Sequence, residues 1–276
     1  MEEEKKQYIF MYPLWRIFAY FIIYSICGFI IETAFGLVTK GIIESRQSML
    51  YGPFCNIYGL GAVFLLCIPS ENKKNWQVFV SGCVIGSLVE YIISWGGEAL
   101  YNVKWWDYSN IAFNLNGRIC IAYSVIWGGL TIALKKYINP IIDKYLDKCI
   151  EKIKLKNFKV IITIVICLMI VDQIISSFAM KMFYARIINN NDIQNVVGAE
   201  NYTHYFELYQ NDEKIKNIVD KFFNDEKMLK TFPNLKLTLE DGTIILVSDI
   251  LKDIKPYYIK VFEPHQFKKI EFNASK

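Results

Sequence analysis

Residues 76–100 read Trp-Gln-Val-Phe-Val-Ser-Gly-Cys-Val-Ile-Gly-Ser-Leu-Val-Glu-Tyr-Ile-Ile-Ser-Trp-Gly-Gly-Glu-Ala-Leu. As a helix this run is about 37 Å long, more than the ~30 Å hydrocarbon core of a bilayer. On a helical wheel Cys83, Ser87, Glu90, Ser94 and Glu98 fall within an arc of about 80°, and most of the remaining surface is apolar. Gly82 and Gly86 form a G-x-x-x-G pair on another face, suited to close helix packing. An ionised carboxylate at bilayer depth costs about 2.5 kcal/mol or more, so a stripe carrying two acids faces a protein interior or a watery cavity.

Four further apolar runs flank this one, at about 14–38, 54–68, 119–138 and 160–184. The run at 54–68 is short, and crossing and re-entry both remain open for it. The composition agrees with a membrane class: 53% of the 276 residues are hydrophobic and the mean hydropathy is +0.23. The expected fold is an all-α polytopic membrane protein with about five transmembrane helices, an amphipathic basic connector helix and a small α+β C-terminal tail. Residues 1–186 are expected to form the transmembrane domain and 187–276 a small extramembrane region. Met1-Glu-Glu-Glu-Lys-Lys reads as the start of a retained first span rather than a signal peptide.

Eight lysines lie between Lys135 and Lys159, and Lys73 and Lys74 precede the third span, whereas the other two loops hold only Lys40, Arg46, Lys104 and Arg118. Positive charge marks the cytoplasmic side, which places the N-terminus inside and the tail outside. In the connector, Ile138, Ile142, Tyr145, Cys149 and Ile153 recur at helical spacing, with Lys144, Lys148 and Lys152 on another face. That pattern fits a helix lying on an anionic lipid surface, or a surface that docks a cytosolic partner. In the tail, 214–230 reads as a helix, and Asp241-Gly242 separates two strand-like runs as in a hairpin.

Other spans carry stripes of their own. Ser25, Gly28, Glu32 and Gly36 share a face of the first, and Asp172 and Ser176 lie together on the last. With the topology above, Glu32, Glu90 and Glu98 lie toward the outer side, where Arg46, Arg118 and Asp107 supply charge. A Glu/Arg/Asp cluster beneath the outer loops follows, either a closed salt-bridge network or a binding pocket. Trp105, Trp106 and Tyr108 read as an interfacial aromatic belt. The seven cysteines form no C-x-x-C pair and read as packing residues. His204 and His265 have no ligand pattern around them, so no metal or other cofactor is expected. A net charge of +4, mostly in one connector, gives no indication of nucleic-acid binding.

Three stretches carry a family resemblance: Gly52-Pro-Phe-Cys-Asn-Ile-Tyr-Gly-Leu-Gly61, Trp106-Asp-Tyr-Ser109 and Asn114-Leu-Asn-Gly-Arg-Ile-Cys120. With Glu90, Glu98, Asp172 and Phe232-Pro-Asn234, they resemble the ABC-transporter permease family called CmpB-like, or type IV. The family commonly has proline where this chain has Asn56, which implies a less rigid loop here. The resemblance implies a membrane permease with a separate ATPase subunit as partner. The chain itself has no G-x-x-x-x-G-K-[ST] phosphate loop and no EAA-type coupling loop. Three functions stay open on these residues. In a permease, Glu32, Glu90, Glu98 and Asp172 line a polar path, with Arg46 and Arg118 balancing charge and Trp106, Asp107 and Asn114 in the loops above. In a scaffold, the same charges hold the bundle together. In a membrane enzyme acting on a lipid or envelope substrate, they act as acid and base, although no catalytic constellation is recognisable.

Overall fold

The computed structural model describes residues 8–9, 12–69, 73–101, 106–254 and 258–262. Lys104, Trp105 and His265 lie outside the described residues. The described residues are mostly helical, with four small two-stranded ladders among them. Among the described residues three helices are long and apolar enough to cross a bilayer: α1 (Leu14–Lys40), α3 (Asn75–Tyr101) and α6 (Leu155–Asn190). Their outward faces carry large bare hydrophobics such as Ile30, Phe35, Val84, Leu88, Ile92, Ile164 and Leu168, while Ser25, Ser94, Glu90 and Asp172 are buried. A soluble protein reverses that arrangement.

α1 follows the short hairpin of β1 (Tyr8–Ile9) and β2 (Tyr12–Pro13). Gly41 ends it in the left-handed conformation, φ +69°, with its N–H donating to the Leu37 carbonyl. Strand β3 (Ile42–Glu44) follows, and an irregular segment then leads into α2 (Asn56–Leu66). α2 has 11 residues, about 16 Å, so it does not cross as one helix. It packs antiparallel on α1 through two close approaches. Gly28 lies against the Tyr58 ring, and Gly59 against Ser25 and the Phe21 carbonyl.

α3 and α4 (Ile121–Ala133) form the second tight pair. The expected G-x-x-x-G contact is present: Gly82 meets Thr131, Gly86 meets Trp127, and Gly128 meets Cys83 and Phe79. Between them, β4 (Asn114–Leu115) and β5 (Ile119–Cys120) form a hairpin, so the fourth helix starts at 121 rather than 119. A π-helical turn (Leu134–Ile138) carries α4 into α5 (Asn139–Ile153) without a break. Lys135 in that turn donates to the Leu66 and Ile68 carbonyls, which closes the end of α2.

α5 is the basic connector, but its packed row is Ile142, Leu146 and Ile150. Tyr145, Cys149 and Ile153 of the expected apolar face are exposed. Lys154, at φ +70°, turns the chain into α6. α6 runs on to Asn190, beyond the expected end at 184, because Met182–Ile188 is the floor of the tail's core. Val219, Phe223, Met228, Leu229 and Phe232 close over it from α8 (Glu213–Phe222), α9 (Asp225–Thr231) and the turns after them. The expected helix over 214–230 is thus two helices, because the Asn224 side chain caps a new start by accepting from Lys227 N–H. α7 (Glu200–Asn211) precedes them. The hairpin at Asp241-Gly242 is present as β6 (Lys236–Thr238) and β7 (Ile244–Leu246), followed by α10 (Val247–Ile250). β8 (Tyr258–Lys260) returns to pair antiparallel with β3.

Candidate functional site

Two ends follow from these contacts. The starts of α1, α3 and α6, the end of α2 and the whole of α5 share one end. The 106–120 hairpin, β3 and the tail share the other. At the first end Arg16 of α1 bonds Asp143 at 3.0 Å and Asp147 at 2.9 Å on α5. Tyr20 donates to Asp143 at 2.6 Å, and Tyr24 donates to Asn139 at 3.0 Å. The sequence reading missed this network, because Arg16 sits singly at the edge of an apolar run and both aspartates lie among lysines.

The acids of the expected site fall into separate sets. On α3, Glu90 is 8% exposed and accepts from the Tyr108 hydroxyl at 2.9 Å and from Trp127 Nε1–H at 3.0 Å. Burial and the Glu90 charge hold the Tyr108 hydroxyl well above the usual tyrosine range, so it stays a donor. Tyr108 stacks on Tyr123 with ring centroids 4.5 Å apart. One layer nearer the helix end, Arg118 pairs with Glu98, donates to Ser94 at 3.3 Å and lies over the Tyr91 ring.

The hairpin that delivers Tyr108 and Arg118 is tied mainly to itself. Asp107 accepts from the Ser109 N–H and hydroxyl, and Asn114 accepts from Gly117 N–H while donating to the Ser109 and Ile111 carbonyls. Trp106 donates to the Arg118 carbonyl at 2.9 Å, so it is fastened into the hairpin. Gly117 has φ +67°, and a Cβ there would collide with Ser109 and Asp107, so the turn requires glycine.

On the α1 side Glu32 and Arg46 have separate partners. Glu32 is half-buried and accepts from Tyr58 at 2.7 Å, in the first turn of α2. Arg46 lies along Gly36 but pairs with Glu44 at 2.6 Å rather than with Glu32. Glu44 also accepts from Lys40 at 3.1 Å and from the Asn234 amide at 3.2 Å. Glu44 was absent from the expected site because it lies outside every apolar run. The Phe232-Pro-Asn234 stretch was a signal for it, since Asn234 reaches back to this carboxylate.

Asp172 has a different task. Its Oδ2 accepts the Tyr51 backbone N–H at 3.0 Å, and its Oδ1 accepts from Ser176, whose oxygen in turn accepts the Leu50 N–H at 2.8 Å. Ser48 accepts the Asn56 N–H, Gln47 donates to the Met49 and Leu50 carbonyls, and Cys55 N–H donates to the Ser25 carbonyl of α1. Ser25 lies fifteen residues, about 22 Å, before the end of α1. The segment 45–55 therefore descends as irregular backbone to the middle of the bundle before α2 begins. Asn56, the position for which a less rigid loop was expected, is bound at its N–H and through its amide to Gln173 at 3.1 Å. The loop is anchored at this position. Asn56 Oδ1, Arg46 Nε and Ser25 Oγ are buried there with no hydrogen-bond partner among the described residues.

The pattern of these loops has a counterpart among known proteins. A family model described as "Putative ABC-transporter type IV" matches residues 19–177. The chain belongs to that family. The match spans the irregular 45–55 segment, both tight helix pairs, the hairpin, α5 and the Asp172–Ser176 anchor. Membership in this transporter-type family and the three long apolar helices make the chain a membrane protein. Asn234, the tail's contact to Glu44, lies beyond the matched residues. No curated protein and no solved structure matches the chain.

Proposed function

We propose that this chain is the membrane-embedded, permease-type subunit of an ABC transport system and works with a separate ATPase. The observation that carries this reading is the interrupted entry to α2. Irregular backbone at membrane depth is tolerated only where protein or a watery cavity satisfies it, and transporters place their substrate sites at such breaks. In this reading α1, α3 and α6 cross whole, α4 crosses with its π turn, and 45–66 crosses as an irregular outer half plus the inner helix α2. Residues 1–186 form the transmembrane domain and 187–276 the extramembrane region, seated on the end of α6. The lysine-rich end is cytoplasmic, which puts the N-terminus inside, the tail outside and α5 where an ATPase docks.

The polar site comprises Glu32, Arg46, Glu90, Glu98, Trp106, Asp107, Asn114, Arg118 and Asp172. Glu32 and the buried orphan atoms of Arg46 and Asn56 belong to the path. Glu98 and Arg118 close its outer mouth, with Trp106, Asp107 and Asn114 shaping the loop above. Glu90 and Asp172 hold the walls. The test is purification of the full chain in mild detergent: a near-stoichiometric ATPase should accompany it. Repeated recovery of an envelope protein with no ATPase would instead favour a scaffold. That second reading draws support from one specific finding, that each acid already has a hydrogen-bond partner. Glu90→Gln and Glu98→Gln separate the two: a transport subunit loses transport with expression intact, whereas a scaffold loses folded protein or nothing.

A further inference from the structure

The starts of α1 and α6 enclose, with α5, a groove of about 390 Å³. Ala19 and Ile22 of α1, Tyr145 and Cys149 of α5, and Phe158 and Ile162 of α6 line it, and among the described residues no charged side chain does. The α1 residues lie about 8–12 Å, and the α6 residues about 5–10 Å, from their helix starts, the depth at which an acyl chain begins beneath its headgroup. Tyr145 and Cys149 are exposed along the rim.

The charge on α5 is sorted around this rim. Asp143 and Asp147 turn toward Arg16 on α1. Lys144, Lys148 and Lys152 are exposed. The Lys148 ammonium lies 5.9 Å from the centre of the Tyr145 ring, which itself lines the groove, and Lys152 follows one turn on. Glu151 points about 120° around the helix from Tyr145. An apolar cleft bordered by ammonium groups suits a molecule with a hydrocarbon tail and an anionic head. An extended peptide segment would find almost no polar groups in the cleft to satisfy its backbone.

We propose that this groove binds one anionic glycerophospholipid from the surrounding bilayer, with an acyl chain between α1, α5 and α6 and its phosphate against Lys148 and Lys152. The inference rests on the chain's being a membrane protein and not on the transport reading. The test uses the purified full chain in mild detergent, incubated with phosphatidylglycerol or phosphatidylcholine of identical acyl chains. Native mass spectrometry counts the retained lipid. The wild-type chain should retain one phosphatidylglycerol in preference to phosphatidylcholine. Lys148→Gln with Lys152→Gln should weaken phosphatidylglycerol retention about ten- to thirtyfold, at ~1 kcal/mol per lysine, and leave phosphatidylcholine unchanged. Cys149→Trp fills the groove from its exposed rim and should remove both lipids. Lys214→Gln with Lys216→Gln in the tail, a charge-matched control, should change nothing. Equal retention of the two lipids by the wild-type chain, or undiminished retention in both groove variants, overturns the proposal.

Discussion

The segment from Glu44 to Asn56 and the hairpin from Trp106 to Cys120 carry most of the residues that mark the family, and they meet the bundle in opposite ways. The hairpin stays at the helix ends and satisfies its backbone locally, through Asp107, Asn114 and Gly117. Tyr108, Asn116 and Arg118 reach across to α3. The other segment sinks to mid-bundle as bare backbone, and polar groups come from α6 to meet it. Two buried acids that look alike in sequence therefore do different work. Glu90 receives two side-chain donors, whereas Asp172 substitutes for the helical hydrogen bonds that the 45–55 segment lacks. Asp172 needs acceptor oxygens more than it needs charge.

That contrast can be broken by substitution. Asp172→Ala strands the Tyr51 N–H and loosens Ser176, and should cost about 2–3 kcal/mol. Asp172→Asn keeps an acceptor and should retain most of that stability, read as the thermal midpoint in detergent. Equal loss in both variants would mean that the charge matters and the contrast with Glu90 is wrong. Next in size is Gly86→Ala, which brings a methyl to 2.6 Å from Trp127 Cβ and pushes that indole off Glu90, at about 2 kcal/mol. Gly96→Ala meets nothing within 4 Å and should be neutral or stabilising by about 0.5–1 kcal/mol. Thermal unfolding of the pair separates packing from helix propensity. Glu90→Gln should cost under about 1 kcal/mol, because a Gln amide can donate to the Tyr108 oxygen while its carbonyl accepts from Trp127. A loss comparable to that of Asp172→Ala would show that α3 needs the ionised acid. A stabilising effect is expected far from both regions: Lys154→Gly relieves a positive φ on a side-chain-bearing residue and should add about 1 kcal/mol of stability, read as the thermal midpoint.

Much of this was legible because membrane helices announce themselves by apolar length and by their narrow polar stripes. The face holding Ser87, Glu90, Ser94 and Glu98 was read correctly, as was the close approach at Gly82 and Gly86. The partners were less legible. Arg46 was expected to supply charge beside the buried acids, but the sequence does not reveal that Glu44, two residues away, is turned inward by β3–β8 pairing and takes it. α5 was recognised as an amphipathic basic helix, but its buried row was displaced to Ile142, Leu146 and Ile150. Asp143 and Asp147 had to face Arg16, and that contact fixes the helix's rotation. The depth of the 45–55 segment had no periodic signal at all, since irregular backbone writes none. Its anchor at Asp172 and Ser176 was visible only as two polar residues one turn apart.

The π turn at Leu134–Ile138 bears on how this chain tolerates changes of length. A π turn holds one residue more than an α turn, so it absorbs an extra residue without rotating the helices on either side. Thr131 thereby keeps facing Gly82 on α3, while Asn139 and Asp143 keep facing Tyr24 and Arg16 on α1. Deleting the exposed Tyr137 would turn the bulge into plain α-helix and leave both faces in place. A deletion elsewhere along 121–153 would swing one face by about 100° and tear it from its partner. This turn is the point in the α4–α5 rod at which a codon can be lost without loss of register.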